Sequence, residues 1–204
     1  MNSRLRVDRL AAVVILLSLM AAPAYPHFPI PPKKPDIGRQ AVLTTVPDFT
    51  LVDQNGKPFR FTDARGKIVL ATFIFTACPD VCPLLTAKFA GIESALEEKK
   101  LDDFLLLSIT TDPQRDTPGA LKSYAERFKA DFNYWLFLTG PEKNLAKVWQ
   151  GFGVTVRKTR DGQIQHTALT TLIDRRGVRR IDYYTDKWQE KEILQDITSL
   201  NSQK

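Results

Sequence analysis

The sequence predicts an α/β fold: a central mixed β-sheet flanked by helices and preceded by a β-hairpin extension. Three observations carry that expectation. Two short runs, IVLATFIF (68–75) and FLLLSI (104–109), are almost wholly apolar, as strands buried on both faces are. Segments with apolar residues at helical spacing alternate with them, which is the pattern of βαβ units and a mainly parallel sheet. Near the end, residues 168–173 and 178–184 flank Arg176-Gly177 and read as a hairpin.

Taken in order, Phe49–Val52 and Phe59–Phe61 flank Gln54-Asn55-Gly56-Lys57, and Asn-Gly tolerates the positive φ of a hairpin turn. After the first buried strand, residues 83–99 place Leu84, Leu85, Phe89, Ile92 and Leu96 at helical spacing, with Pro83 suited to a first turn. The second buried strand is followed by an amphipathic segment, 118–129, built on Leu121, Tyr124, Ala125 and Phe128. YWLFLT (134–139) reads as a third strand, and Leu145, Val148 and Trp149 mark a short helix ending by Gly151. The hairpin 168–184 and a last helix over about 188–199 complete the chain. This succession suits a thioredoxin-like sheet, an architecture that hosts several activities and so does not fix one. Trp135, Trp149 and Trp188 read as packing residues.

Order is expected from Val46, giving a domain over 46–204. Residues 25–45 are proline-rich without periodicity and read as a linker or a tail lying on the domain. Ahead of them, Arg4, Arg6 and Arg9 precede LAAVVILLSLMAA and Ala22-Pro23-Ala24. That order is the grammar of a secretory signal. The apolar run is short for a spanning helix, yet no charge falls between Leu10 and Pro32, so residues 1–24 read as a cleaved signal or an uncleaved anchor. Either way the folded part is expected outside the cytoplasm, in a periplasm or on the outer face of the inner membrane, with a membrane tether if the segment stays. The formal charge is +6 over the chain, but residues 25–204 hold 26 basic against 22 acidic side chains, scattered rather than massed. A nucleic-acid surface is not expected. A monomer is.

The chain has two cysteines, Cys78 and Cys82. A disulfide between them would close so small a loop that it would stabilise little, because the gain grows with loop length. Their placement favours chemistry instead. They follow a buried strand and open a helix, and ligand sites in open α/β sheets lie at that end. A helix N-terminus also favours thiolate over thiol. Three residues separate them, where a redox pair of the common kind has two, and positions i and i+4 share a helix face. Two thiolates suit Cu(I), and an added imidazole accommodates Cu(II). Zinc, which takes four ligands, finds too few soft ones here.

FTACPDVCPLLT resembles the copper loop of the Sco/SenC family, proteins that help deliver copper to the binuclear site of cytochrome c oxidase. Thr111-Asp112-Pro113-Gln114-Arg115-Asp116-Thr117-Pro118 resembles the family's D-P-x-R-D-T-P loop, and Gln165-His166-Thr167-Ala168 resembles the segment that supplies its histidine. The three stand in family order over about residues 45 to 200. The resemblance implies Cys78, Cys82 and His166 as copper ligands and Asp112 as a residue of the loop beside the site, supporting the ligands rather than joining them. It implies a thioredoxin-like copper-binding domain, copper as Cu(I) or Cu(II), and a copper-receiving oxidase subunit as partner, with other copper chaperones or thiol reductants beside it. The chain departs from the pattern at Gln165 and Thr167, where members often have Asp and Ser, and at Thr76-Ala77, where aromatic residues or histidine are common.

Two functions compete. One is a metallochaperone without catalytic turnover, passing copper by ligand exchange. The other is a thiol–disulfide reductase that keeps a partner's cysteines reduced for metallation, with Cys78 attacking and Cys82 resolving; a thiol peroxidase is a weaker variant of it. The bland readings are a structural disulfide for the cysteines, a strand-edge hydrogen bond for His166 and a plain turn for Asp112-Pro113. His27 is the other histidine. If cleavage follows Ala24 it stands third, but a tight N-terminal copper site needs the amide N–H of the second residue, and Pro26 has none.

Overall fold

The computed structural model describes residues 38–160 and 162–202. Ten strands and four α-helices form one α/β domain: β1 (Arg39–Thr45), β2 (Thr50–Val52), β3 (Pro58–Arg60), β4 (Ile68–Ile74), α1 (Val81–Glu98), β5 (Phe104–Thr110), α2 (Pro118–Glu126), β6 (Trp135–Leu138), α3 (Glu142–Phe152), β7 (Val156–Lys158), β8 (Ile164–His166), β9 (Leu169–Ile173), β10 (Val178–Tyr184) and α4 (Glu190–Asn201). The main sheet runs β1-β10-β9-β4-β5-β6. β4, β5 and β6 pair in parallel, and β9, β10 and β1 add antiparallel to them, so the sheet is mixed as expected.

Every residue of β4 and β5 is buried, which explains why both read as unbroken apolar runs. Their side chains alternate between two cores. Ile68, Leu70 and Ile74 face Phe89, Ile92, Tyr124, Trp135 and Ile193. Val69, Ala71 and Phe73 face Phe61, Leu145 and Phe152. Fully burying a large apolar side chain contributes roughly 1.5–3 kcal/mol. An exposed pair such as Arg60–Asp63, at 4.0 Å, contributes about 0–1 kcal/mol, so the two cores hold the domain.

Local chemistry sets the element ends. Thr117 caps α2 by accepting the amide of Ala120 at 3.3 Å, and Pro118 occupies its first position. The Asn55-Gly56 turn forms as expected, with Gly56 at φ +78 and Asp53 accepting the amides of Asn55 and Lys57. The β2–β3 hairpin it makes is a separate small sheet that shields the outer edge of β6: Val52 bridges Thr139, and the Gln54 carboxamide oxygen accepts the Phe137 amide at 2.9 Å. Trp135 and Trp149 are core residues, their indole N–H groups donating to Ser108 Oγ and the Thr110 carbonyl at 3.0 Å.

Three boundaries differ from the sequence expectation. The sheet begins at Arg39, not Val46: residues 39–45, read as the end of a linker, pair with β10 as an edge strand. Six of its seven residues are exposed, so it carries none of the alternation that marks a half-buried strand. Helix α3 runs through Gly151, whose missing side chain lets Pro47 pack close, and stops at Gly153, which takes the left-handed conformation at φ +74. The third difference is β7–β8, a small hairpin whose short polar strands show no periodicity. Residues 1–37, including the segment read as signal or anchor, lie outside the described residues. Among those described, no helix is long and apolar enough to cross a membrane.

One buried acid does not serve the site. Glu93 on α1 is 5% exposed and accepts the Asp131 amide at 3.2 Å. Burial pushes its carboxyl up to about 8. A folded-state value above the unfolded one means the folded protein holds the proton longer, so the associated stability is full below the unfolded value and lost as pH rises through about 8. Glu93→Gln keeps the acceptor and removes the charge. Its thermal midpoint is expected to exceed the wild type's at pH 9 and to differ little at pH 4.5; equal midpoints at pH 9 would refute the assignment.

Candidate metal centre

The carboxyl ends of β4 and β5 lie side by side, joined by the Thr111 amide donating to the Ile74 carbonyl at 2.7 Å. From β4 the chain turns at once, the Cys78 amide donating to the Phe75 carbonyl at 3.2 Å. It then enters α1 with Cys82 in the first turn. No side chain of Asp80 caps this helix. The sulfur of Cys78 sits at the end instead, accepting the Cys82 amide at 3.5 Å. The Cys78 sulfur therefore lies at the amide end of the helix.

Cys82 behaves otherwise. It is 2% exposed, and burial pushes its thiol far up. The expectation that the helix terminus favours thiolate at both cysteines fails here, because desolvating a charge outweighs a partial dipole. Cys78 is half-buried, and both cysteines are free thiols.

His166 comes from the unanticipated hairpin. It ends β8 opposite Val156, and its ring stands edge-on to Phe75 with centroids 5.9 Å apart. Nδ1 lies 3.0 Å from the Thr167 carbonyl. A carbonyl only accepts, so Nδ1 holds the proton and the Nε2 lone pair remains for a metal. Burial lowers the tendency of the ring to protonate, which keeps it in the ligating form. Thr167 closes the hairpin base: its hydroxyl accepts the Thr155 amide at 3.1 Å, and its own amide donates to the Thr155 carbonyl at 3.0 Å.

Cys78, Cys82 and His166 line one cavity of about 310 Å³, together with Phe75, Val81 and Ile164. Two sulfurs and an imidazole are a donor set for copper in either oxidation state. Among the described residues, no three His, Cys, Asp or Glu side chains stand close enough to hold a metal ion as they are. Cys78, Cys82 and His166 thus share a cavity without forming a closed donor cluster. Another cavity of about 360 Å³, between residues 47–50 and α3, is lined by Phe49, Lys147 and Phe152 among others and presents neither cysteine nor histidine. Chemistry rather than size locates the site.

Asp112 does not line that cavity. It is 3% exposed and its carboxylate takes the Arg115 guanidinium. The acid joined to the cysteine loop is Asp116, fully buried, which accepts the Thr76 amide at 3.2 Å and the hydroxyls of Thr76 and Thr110 at 2.5 Å each. Burial raises its carboxyl despite these donors. Asp116 was within the motif read from sequence, but nothing in a D-x-x-x-D spacing says which acid turns inward. Threonines at both strand ends, Thr76 and Thr110, were the available hint.

A SCO1/SenC family profile matches residues 38–202. The SCO2-like protein of Rickettsia prowazekii is 35% identical over 194 residues, covering 90% of this chain and 87% of the relative. Copper-bound ScoI of Bradyrhizobium japonicum superposes with a TM-score of 0.67 at 33% identity, over 77% of this chain and 99% of that one. BsSco, described as carrying a disulfide switch and as a member of the Sco family of cytochrome c oxidase assembly proteins, gives a TM-score of 0.71 at 28% identity, over 81% and 98%.

Two outcomes follow from the geometry. A limiting alkylating reagent at neutral pH is expected to label Cys78 well before Cys82, as read by peptide mass; equal labelling would contradict the burial contrast. Asp116→Ala orphans the Thr76 amide and should cost about 2–4 kcal/mol in urea unfolding, in line with a buried donor stripped of a charged partner. A change below about 0.5 kcal/mol would show the carboxylate to be dispensable.

Proposed function

The chain belongs to the SCO1/SenC family, and on that premise we propose that it carries copper at Cys78, Cys82 and His166 and delivers it to the copper site of a cytochrome c oxidase during assembly. The observation that carries the proposal is the convergence on one cavity of two thiols at a helix entry and an imidazole with Nε2 to spare. Copper-bound relatives support the choice of metal.

In this reading copper is cargo. Cys78, the more accessible sulfur, makes first contact with an incoming or departing ion. Cys82 must give up its proton to ligate, so loading releases a proton and is favoured as pH rises. His166 presents a neutral ring throughout. Phe75, Val81 and Ile164 keep the donors in apolar surroundings, which favours a soft ion over a strongly hydrated one. Asp116 holds the cysteine loop against the end of β5 and so preserves the approach of the three donors. We set this activity outside the cytoplasm, supported by the basic-then-apolar N-terminal sequence, with the chain acting as a monomer.

A second reading rests on the burial contrast between the thiols. The Cys78 thiolate would attack a partner disulfide, releasing one partner thiolate; Cys82 would then displace the second and close a Cys78–Cys82 disulfide. The partner is reduced and this chain oxidised, two electrons each.

Replacing His166 separates the two. The reduced full-length chain is expected to bind one copper, with a sulfur-to-copper charge-transfer band in the Cu(II) form. His166→Ala should lose Cu(II) affinity by more than the roughly 10–100-fold that loss of an outer-shell partner costs, while thiol exchange is unchanged. A folded, reduced chain that takes up no copper would overturn the delivery reading in favour of thiol exchange.

A further inference from the structure

The hairpin that brings His166 to the cavity also carries charge that the fold leaves unmatched. Arg157, Lys158 and Arg160 are all exposed, and Asp161 is the only acid in the sequence from 155 to 167. The domain's other arginines are engaged. Arg39 pairs with Asp196, Arg60 with Asp63, Arg115 with Asp112, Arg175 with Asp103, Arg179 with Asp182, and Arg176 and Arg180 with Asp174. Arg65 and Arg127 lie over the rings of Phe61 and Tyr124. Among the described residues, Arg157 and Arg160 alone have neither a carboxylate nor a ring.

The hairpin that carries this charge forms one wall of the cavity. Gln163, Ile164 and Gln165, on the opposite strand of the same hairpin, line it beside His166. Arg115 donates to the Gly162 carbonyl at 3.2 Å, and Lys158 Nζ donates to Gln114 Oε1 at 3.1 Å. The basic side chains thus run on from the hairpin to the 112–116 loop. Arg115 remains 46% exposed despite its ion pair. The cysteine loop and the start of α1 have a different character. Ala77 and Pro79 are exposed, and Leu84 is 55% exposed where most large apolar residues of the domain are covered. Asp80 is the exposed acid of that loop.

We propose that the β7–β8 hairpin is a docking arm for the acidic face of the protein that exchanges copper at this site, with Leu84, exposed two residues past Cys82 on α1, as its apolar contact. The partner class rests on the delivery reading above; the surface itself rests on the unmatched arginines. Unpaired cations held beside an opening steer an oppositely charged partner and raise its rate of encounter, an effect that salt screens. An apolar contact on the cysteine side resists dissociation rather than speeding association. The arrangement therefore assigns encounter to Arg157 and Arg160, and residence to Leu84.

The test uses the full-length, copper-loaded chain and the isolated copper-receiving oxidase subunit from the same organism, mixed by stopped flow over a range of salt. Arg157→Gln/Arg160→Gln is expected to lower the association rate about tenfold at low salt and to flatten its salt dependence. Copper stoichiometry and the charge-transfer band should stay as in the wild type. Charge reversal with Arg157→Glu/Arg160→Glu should slow encounter further, and Leu84→Ser should raise dissociation alone. An association rate indifferent to both arginines and to salt would overturn the proposal while leaving copper delivery standing. Charge-dependent association without any passage of copper would uphold the docking arm and overturn delivery. Loss of binding to phosphatidylglycerol vesicles in the arginine variant, with association to the subunit unchanged, would overturn it in favour of a membrane surface.

Discussion

The parallel seam between β4 and β5 is the constraint from which the rest of the domain follows. Ile68–Ile74 lies against Phe104–Thr110 in unbroken register, and every side chain along it is buried on one face or the other. A one-residue slip would turn each strand's alternation inside out and exchange its contacts with the two cores. The register also fixes which chain ends meet. Residue 76 leaves β4 beside residue 110 at the end of β5, close enough for one carboxylate, Asp116, to tie both. The cysteine loop thus continues directly from the buried seam of the sheet.

On that base the site is assembled from unequal pieces. The two sulfurs belong to a strand–helix junction with core on both sides, whereas the imidazole is presented by a two-stranded ribbon outside the main sheet. The ribbon is held by the Thr155–Thr167 bonds at its base and by Arg115 at its tip. Such an arrangement suits a carrier. A site in which three donors were already fixed at bonding distance would bind an ion tightly and release it slowly. In the copper-delivery proposal, part of the binding free energy would go into drawing the donors together, leaving the ion less firmly held against a partner's own ligands.

Burial controls the chemistry of the donors as much as their position. It favours the neutral His166 ring and the protonated Cys82 thiol. Cys78 takes the helix terminus and the greater exposure, so the two sulfurs differ in surroundings although the sequence presents them as a symmetric pair. The same asymmetry would serve disulfide exchange, where an accessible attacker and a protected resolver are wanted.

The sequence by itself determined the elements whose signal is carried by many residues at once. β4 and β5 announce themselves as apolar runs, α1 and α2 as periodic faces, the β2–β3 turn by Asn55-Gly56, and the cysteine site by its place between a buried strand and a helix. Three motifs in family order also pointed to Cys78, Cys82 and His166 as the candidate donors. The tertiary structure decided what depends on distant partners. β1 is a strand only because β10 offers it an edge, and its exposed residues carry no period of their own. Asp116 rather than Asp112 reaches the cysteine loop because the turn between them directs one carboxylate inward to Thr76 and leaves the other to Arg115. The β7–β8 hairpin has too few apolar residues to be seen in advance. Its position over the cysteines is set by contacts with residues more than forty places away in sequence, which no local pattern encodes.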